Sequence, residues 1–429
     1  MRTPIIQITP ESGSASAIGW AHEIRDLGGL AFILLRDRTG IVQITIPKKK
    51  VSEEILTTFK EISRESIIQV TGEVKSVDKA PGGREIIPET LTLISRAETP
   101  LPLDVSEKVP AEIDTRLDTR YLDARRPKIA SIFQIRSTVQ HAVREFLHQQ
   151  EFIEITTSKI VATATEGGTE LFPIAYFEKE AFLNQSPQLY KQMMMAAGFE
   201  KVYEIGPIFR AEEHNTTKHL NEATSIDIEV SFANHEDVMD LLENLIRTIY
   251  QRVADTCQNQ LEVLELTDFS VPKKQFPRLT YADAIDIARR KENEIAYGDD
   301  LNTAAERAIG DEMGQHYFII DWPTAIRPYY AMPYENEPEI CKAFDLMHPK
   351  MELSSGAERV HNYDLLRQQI SAKGLNPDNF EFYLKPFKYG MPPHAGWGAG
   401  AERLITTMLE LPNVREAVLF PRDRHRVVP

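Results

Sequence analysis

Short apolar segments separated by glycine-containing turns fill the first 100 residues of the chain. Four such segments stand out: residues 17–20 and the runs LAFILLRD, GIVQITIP and SIIQVTGEVKSV. Gly28, Gly40 and the stretch PGGRE provide the turns. Strands this short and this closely spaced can bury their apolar side chains by closing on themselves. We therefore predict a small β-barrel domain over residues 1–100.

A different pattern follows the barrel. Residues 101–128 are rich in proline and charge and lack apolar periodicity, which predicts a hinge. Over residues 129–149 apolar residues recur at intervals of three and four, the spacing of an amphipathic helix. Later strands outnumber the helices between them, which favours an antiparallel sheet flanked by helices. We predict a multidomain α+β protein with a large domain over residues 129–429, helices near 187–197, 235–255 and 361–373, and an acidic surface insertion near 289–315.

The distribution of charge limits how this protein could hold nucleic acid. Its 49 Lys and Arg stand against 64 Asp and Glu, a net charge of −15, whereas the first 100 residues hold 13 of each sign. Bulk positive charge therefore cannot be the basis of nucleic-acid binding, and any contact must be local. Five-stranded barrels of this size commonly bind oligonucleotides by aromatic stacking. Phe32 is the candidate platform, and a buried core phenylalanine is an equally weighted alternative.

The cysteines and the N-terminal residues indicate the compartment. Cys257 and Cys341, with no CxxC spacing, predict neither a disulfide framework nor a structural zinc site. The first ten residues lack a basic start followed by an apolar core, and the longest aliphatic or aromatic run is residues 30–35. We therefore expect a cytoplasmic protein that is neither secreted nor membrane-spanning.

The stretch YEIGPIFRAEEHNTTKHLNEATSIDIE joins two apolar strands through a polar loop. The first strand delivers Arg210 and Glu212, the loop carries His219, and the second strand carries Asp227. The planar guanidinium of arginine suits bidentate contact with phosphate or carboxylate, and a nearby glutamate can accept from an amino group such as adenine N6. An anionic nucleotide fits this hairpin. The alternative is a solvated hairpin with incidental charges.

A second cluster lies in KAFDLMHPKMELSSGAER, where Asp345, Glu352 and Ser355 offer hard oxygen ligands and Arg359 follows. Magnesium binds through few carboxylates, while waters and phosphate oxygens complete its coordination. Strict strand alternation would place Ser354, not Ser355, on the face of Glu352, so we predict that the strand ends at SSG. Surface carboxylates with no ligand role are the alternative.

The third stretch is the glycine-rich run YGMPPHAGWGAGAERL. Its glycines allow close approach of the backbone to a ligand, although tight packing of a helix on a strand would explain them equally well. We expect a helix to begin near Ala401 with Arg403 in its first turn. Because a cation near a helix N-terminus is mildly unfavourable, Arg403 should have a partner.

These stretches, in this order and after a small barrel, resemble the class II aminoacyl-tRNA synthetases, specifically the archaeal-type aspartyl-tRNA synthetases. The resemblance covers nearly the whole chain. Its most specific strings are RDLGG, LRDRTGIVQI, RAETPLPLD, ATATEGGTELFP, QSPQLYKQ, FRAEEHNTTKHLNE, YGMPPH, GAERL and FPRDR. It implies an OB-fold barrel joined to a class II catalytic domain. It also implies a reaction in which aspartate attacks ATP to form an adenylate, and the aspartyl group then passes to tRNA.

The resemblance also implies roles for individual residues. Arg210 would grip the α-phosphate and Arg403 would lie on the adenine face, which makes these two the catalytic residues. The implied contacts are Arg210, Glu212, His219, Glu352 and Arg403 for ATP; Asp345, Glu352 and Ser355 for Mg²⁺; Glu166, Gln188, Lys191, Arg210, Asp227, Ser355 and Arg359 for aspartate; and His22, Phe32, Gln43, Pro81 and Glu85 for the anticodon. Glu166 belongs to an implied lid over residues 165–171.

The implied amino-acid pocket separates the preferred activity from its rivals. Lys191 and Arg359 would read the side-chain carboxylate, and two positive charges in a partly dry pocket favour aspartate over neutral asparagine. An asparaginyl-tRNA synthetase, the main alternative, typically has a neutral residue in place of Lys191. An adenylate-forming paralog that makes asparagine would usually lack the barrel. A tRNA-binding protein without catalysis would not need the nucleotide and metal positions.

Four positions depart from the family pattern. Members that accept only the aspartate tRNA tend to carry Trp and Lys where this chain has His22 and Pro81. The asparagine and aspartate tRNAs differ at the third anticodon base, and the loss of Trp and Lys would relax the reading of that base. We therefore predict charging of both tRNAs and a downstream amidotransferase, and neutral substitutions on the barrel surface are the alternative. Ser158 replaces the proline usual in motif 1 of this homodimeric family, which puts the local dimer contact in doubt. Ala223 and Thr224 follow Glu222, where many members have an aromatic ring over adenine.

Overall fold

The computed structural model describes residues 2–162, 170–212 and 216–429. The chain divides into two compact units, Met1–Asp104 and Val105–Pro429. Each unit has its own apolar core. In the part of the chain that is described, no helix is long and apolar enough to cross a membrane.

The first unit is a closed five-stranded barrel, which confirms the predicted OB-fold. Its strands follow the order β1-β2-β3-β5-β4, and β3 and β5 form the parallel pair that closes it. In β2 the side chains of Ala31, Ile33 and Leu35 fill the interior, so alternation places Phe32 on the outer face. The elements are β1 (Ser14–Asp26), β2 (Leu30–Asp37), β3 (Gly40–Pro47), α1 (Glu53–Glu61), β4 (Ile67–Ser76) and β5 (Arg84–Ser95).

The fifth strand, β5, is absent from the four segments that the sequence pattern picks out. Its polar residues and Pro88 weaken the apolar alternation by which strands are recognised. The proline is accommodated opposite Gly72, where the pairing of β4 with β5 shifts register. A side chain at Gly72 would collide with the backbone of Ile87, so the close approach of the two strands requires glycine there.

The described part of the second unit is built on an eight-stranded, mostly antiparallel sheet of order β12-β13-β14-β15-β16-β11-β10-β6. Its strands are β6 (Ile153–Glu154), β10 (Lys201–Phe209), β11 (Glu222–Ser231), β12 (Arg278–Thr280), β13 (Tyr317–Pro323), β14 (Ile340–His348), β15 (Met351–Arg359) and β16 (His394–Gly400). A small separate sheet contains β7 (Ile160–Val161), β8 (Pro173–Tyr176) and β9 (Lys179–Leu183). The predicted class II architecture of a sheet flanked by helices is confirmed.

Three helices cover one face of the large sheet and bury Ile132, Leu242 and Leu404 against it: α4, α6 and α12. The helices of the unit are α2 (Ile113–Asp118), α3 (Arg120–Asp123), α4 (Pro127–Gln149), α5 (Gln188–Ala196), α6 (His235–Thr256), α7 (Gln258–Val263), α8 (Tyr281–Arg290), α9 (Thr303–Met313), α10 (Tyr363–Ala372), α11 (Glu381–Leu384) and α12 (Ala401–Met408). The three helices predicted after α4 correspond to α5, α6 and α10.

The segment predicted as a hinge, residues 101–128, differs from the expectation in its second half. There α2 and α3 form and pack into the large unit through charge. The Arg116 guanidinium contacts Asp123 at 3.0 Å and Glu416 at 2.6 Å, and buried Arg120 also pairs with Asp123. Apolar periodicity is weak in this segment because ionic side chains such as Arg120 and Asp123 are buried beside Leu117 and Leu122, so pattern reasoning could not detect the packing.

The predicted acidic insertion near residues 289–315 is also more than a surface loop. It contains α9, whose Ala305 and Ile309 are fully buried together with Ile295 in a core shared with α8 and β13. Gly310 of α9 lies against the backbone of Pro349, so closely that a Cβ would collide with it. The insertion is therefore docked beside the turn between β14 and β15.

Candidate functional site

The open face of the large sheet carries a cavity of about 450 Å³. Strands β10, β11, β15 and β16 provide most of its floor. Many of the residues singled out in the sequence line it together, namely Gln188, Arg210, Glu212, His219, Asp227, Glu352, Ser355, Arg359 and Arg403. Lys191 is not among the described residues of the lining, and Glu166 lies outside the described residues.

Cationic side chains line one end of the cavity. Arg210 follows the last residue of β10, and its backbone is fixed by Asn221, which donates through Nδ2 to the Arg210 carbonyl at 2.7 Å. His219 is held by the Thr216 hydroxyl at 2.7 Å. Burial lowers the pKa of His219, and Arg403, Lys218 and Arg210 lower it further. The imidazole is therefore neutral, and the surrounding positive charge suits an anionic ligand.

Arg403 has the partner that its position requires. It lies in the first turn of α12, as predicted, and its Nη1 donates to the Glu352 carbonyl at 3.2 Å. The same guanidinium nitrogen is 3.8 Å from the Glu352 carboxylate. The opposite charge offsets the unfavourable field at the helix N-terminus.

A β-bulge brings Glu352 and Ser355 to one face, which corrects the prediction that the strand ends at SSG. Strand β15 continues to Arg359, and β14 pairs Asp345 with Ser355 but Met347 with Glu352, so Leu353 is the extra residue. An extra residue reverses the alternation beyond it. Glu352 and Ser355 therefore both line the cavity, with Asp345 beside Ser355.

These three oxygen donors fit a magnesium ion. The buried Oδ1 of Asp345 has no hydrogen-bond partner among the described residues. Burial raises the pKa of this carboxyl, and Glu352 contributes in the same direction against Arg327. No group of three His, Cys, Asp or Glu residues that could hold a metal occurs in the described ranges, so phosphate oxygens and waters would have to complete the coordination.

The other end of the cavity contains buried ion pairs. Arg359 donates from Nε to Glu229 at 3.0 Å and lies over the Tyr330 ring, 5.2 Å from its centroid. Lys191, from α5, contacts Asp227 at 2.9 Å and Glu229 at 3.5 Å. Glu229 thus contacts both Lys191 and Arg359, the two cations to which the sequence analysis gave a shared role.

The ammonium of Lys191 is surrounded by protein acceptors in this structure. Its ammonium is almost fully buried and also donates to the Trp397 carbonyl at 3.1 Å, so three protein acceptors surround its three protons. Arg359, by contrast, lines the cavity. In this arrangement Lys191 lies beneath the site, whereas Arg359 faces it.

The glycines of β16 have a packing role. A Cβ at Gly396 would collide with the Glu229 carboxylate, and one at Gly398 would lie 2.9 Å from Asp227 Oδ1. The glycines therefore make room for the carboxylates of β11. This combines the two explanations left open by the sequence, close backbone approach at a ligand site and tight packing. Gln188 is nearby and donates to Gln192 at 2.9 Å.

The sequence analysis gave no role to two residues of this site. Glu229 is one of the carboxylates of the second strand of the hairpin, and a role could have been inferred because it is two residues from Asp227 and so shares its face. Arg327, which contacts Asp345 and lines the cavity, carries no local signal, since it lies in irregular chain after a short 3₁₀ turn. Ala223 and Thr224, which follow Glu222 where many family members have an aromatic ring, also line the cavity.

The barrel has a hollow of its own on its outer surface. Phe32, Gln43 and Glu85 all line it, and Gln43 donates from Nε2 to Glu85 at 3.1 Å. His22 and Pro81 are not among the described residues of this hollow. The Nδ1 of His22 instead lies 2.9 Å from Glu65 and 2.7 Å from Arg36, and Pro81 opens a 3₁₀ turn.

Ser158, at the position of the usual motif 1 proline, is exposed and donates from its hydroxyl to the Ile160 carbonyl at 2.9 Å. The strand-like run around it is reduced to the two-residue strands β6 and β7.

Comparison with known proteins agrees with this arrangement. Residues 112–424 match the family model described as tRNA synthetases class II (D, K and N), and residues 16–94 match the OB-fold nucleic acid binding domain. Proteins named aspartate--tRNA(Asp/Asn) ligase from Methanospirillum hungatei and Methanoculleus marisnigri are 74% and 69% identical, with 100% of each chain covered.

A solved structure with the same architecture is the asparaginyl-tRNA synthetase from Pyrococcus horikoshii complexed with asparaginyl-adenylate. It superposes with a TM-score of 0.93 at 33% identity, and 100% of both chains is covered. The chain therefore belongs to the class II tRNA synthetases and, within them, to the family of the aspartate--tRNA(Asp/Asn) ligases.

Proposed function

We propose that the protein activates aspartate with ATP and transfers it to both tRNA(Asp) and tRNA(Asn) in the cytoplasm. The observation that carries the proposal is that Arg359, Arg210 and Arg403 line one cavity. An acidic amino acid at the Arg359 end and a triphosphate at the Arg210 and Arg403 end would lie side by side there. The names of the near relatives agree with this choice of substrates.

At the amino-acid end, we assign the substrate's side-chain carboxylate to Arg359. A charge-assisted bidentate contact in a buried pocket is strong, and neutral asparagine would not replace it. Lys191 adds positive charge from beneath the site. Asp227 and Gln188 both line the cavity, and we assign them to the ammonium and α-carboxylate region of the amino acid. Glu166 is proposed to approach from the lid.

At the nucleotide end, Arg210 neutralises the α-phosphate and orients the substrate α-carboxylate toward phosphorus. Glu212 accepts from adenine N6, His219 lies close to the nucleotide, and Arg403 covers an adenine face. Asp345, Glu352 and Ser355 would hold Mg²⁺, which supplies charge neutralisation on the phosphates when bound. Positioning and charge stabilisation are sufficient for adenylate formation, so no protein nucleophile is required.

In the barrel, we assign anticodon contacts to Phe32, Gln43 and Glu85. A base stacked on an exposed aromatic side chain gains about 1–3 kcal/mol, which suffices without net positive charge. His22 is held by Glu65 and Arg36, and Pro81 has no polar side chain. These features support relaxed reading of the third anticodon base.

The amino acid is tested by pyrophosphate exchange with the purified protein. We expect aspartate to be activated at least 100-fold more efficiently than asparagine, because asparagine lacks the charge that Arg359 would bind. Higher efficiency with asparagine would establish the alternative activity of the Pyrococcus horikoshii neighbour.

The tRNA choice needs a separate assay with both transcripts. We expect comparable charging of tRNA(Asp) and tRNA(Asn), and a preference for tRNA(Asp) in the double variant His22→Trp/Pro81→Lys. Strict selectivity in the wild type would refute relaxed recognition without affecting aspartate activation.

Two partners belong to the same proposal. The family is homodimeric, so we propose a homodimer, which light scattering on the purified protein can test. Aspartyl-tRNA(Asn) requires conversion before translation, so we also propose a tRNA-dependent amidotransferase as the downstream partner.

A further inference from the structure

A largely buried arginine already occupies the region of the proposed magnesium donors. Arg327 has a side chain only 14% exposed, and its guanidinium pairs with Asp345. The other nitrogen, Nη1, is 3.5 Å from the Ser355 hydroxyl. The guanidinium also lies over the Trp322 ring, 3.7 Å from its centroid. Packing on the ring and pairing with Asp345 fix this side chain.

The position of Arg327 makes it a rival of a metal ion. Arg327 and a divalent cation bound by Asp345 and Ser355 would be near neighbours in a buried region, where repulsion between like charges is strong. Glu352 is the remaining carboxylate of the proposed donor set, and it also lies 3.8 Å from Arg403. The donor set alone therefore has little spare negative charge for a divalent ion.

A triphosphate would change this balance. Its phosphate oxygens can neutralise Arg327 and Arg403 and coordinate the metal at the same time, since magnesium commonly binds through substrate phosphates. Arg327 also lines the cavity, so its guanidinium can meet an anion there.

We propose that Arg327 is a positioning residue that makes divalent-metal binding at Asp345, Glu352 and Ser355 depend on the nucleotide. In the ligand-free protein the positive charge of Arg327 neutralises the Asp345 carboxylate and repels a divalent cation. When ATP is bound, its phosphates pair with Arg327, and the Asp345 carboxylate is then free to bind the metal ion. This inference rests on the proposed metal site.

The test measures Mn²⁺ binding by electron paramagnetic resonance, with and without a non-hydrolysable ATP analogue. Wild-type protein should bind Mn²⁺ at least tenfold more tightly when the analogue is present. In Arg327→Met, affinity without nucleotide should rise at least tenfold and the gain on adding the analogue should shrink. An unchanged affinity in this variant, or no gain from the analogue in the wild type, would overturn the proposal.

Three further variants show whether a change in Mn²⁺ affinity comes from the charge of Arg327, from disturbed folding or from loss of the metal site. Arg327→Lys keeps the charge and should retain the weak binding of the wild type; strong binding would show that charge is not the cause. Lys342→Met removes a cation that pairs with Glu358 at 2.8 Å on the same two strands and should change nothing. If Asp345→Asn leaves Mn²⁺ binding intact in every background, the proposed metal site fails, rather than the role of Arg327 alone.

Discussion

Glu229 shows how one buried residue can organise a binding pocket. It is fully buried, accepts from Arg359 and lies 3.5 Å from the Lys191 ammonium. Removing one partner from such a cluster leaves an uncompensated charge in the interior, which typically costs 3–5 kcal/mol. The cation that faces the cavity is therefore held rigidly before any substrate arrives.

The substitution Arg359→Met should weaken the binding of aspartate and leave the binding of ATP nearly unchanged. We expect the KM for aspartate in pyrophosphate exchange to rise at least 100-fold, equivalent to about 3 kcal/mol, because the buried charge-assisted contact is lost. The KM for ATP should change less than threefold. The exposed pair of Arg367 with Asp378, at 2.8 Å, supplies the control variant Arg367→Met. Equal effects on both substrates would contradict the assigned role.

At the scale of elements, α9 links the insertion to the nucleotide end of the cavity. Glu306 on this helix contacts Lys218 at 3.2 Å, directly before His219. Glu306 is also close enough to Glu352 and Arg403 to feel both charges. Because α9 is fixed against Pro349, its Glu306 fixes the position of the Lys218 ammonium, which lies beside His219.

Gly310→Ala tests this link. Alanine favours a helix by about 1 kcal/mol over glycine, but the collision with the Pro349 backbone should dominate and destabilise the protein by about 1–3 kcal/mol. Displacement of Glu306 should also raise the KM for ATP several-fold. Urea unfolding and exchange kinetics measure the two effects. The control Ala304→Gly, at an exposed position of α9, should weaken the helix without altering the KM.

Elements with strong local patterns could be predicted from the sequence, and those set by distant contacts could not. The barrel and helices α5, α6 and α10 follow from apolar spacing. The bulge at Leu353 and the docking of α9 depend on strands and turns brought together by the fold. The same limit applies within the site: the residue types near Arg359 were recognisable, but the pairing of Lys191 with Asp227 and Glu229 requires elements far apart in the chain.

At the scale of the whole molecule, buried neutral histidines make stability depend on pH. Burial lowers the pKa of His316 to about 3 and that of His394 to about 4. His316 stacks on Phe276, and its Nε2 has no partner within the described part of the chain. His394 is bonded to Gln192 at 2.9 Å. Both side chains are neutral in the folded protein over the physiological range.

Acidification should therefore destabilise the protein. The unfolded chain binds these protons near pH 6.5 and the folded protein only near pH 3–4, so stability is complete above pH 6.5 and falls as the pH is lowered toward 4. At pH 5 the loss is about 2 kcal/mol for each histidine. Urea midpoints at pH 7 and pH 5 measure it. His316→Phe should reduce the difference, whereas the exposed control His141→Phe should leave it unchanged; equal behaviour of the two variants would contradict this origin.

The extra residue Leu353 in β15 changes which residues face the cavity: Glu352 faces it before the bulge, and Ser355 and every second residue after it face it beyond the bulge. In a chain of the same length without the bulge, Leu353 would pair with Met347, and Glu352 would move one position along β14 to the side of the apolar layer under the sheet. The same residues would then hold Glu352 and Ser355 on opposite faces. The point at which the pairing skips a residue is therefore as much a part of the chemistry as the donors themselves.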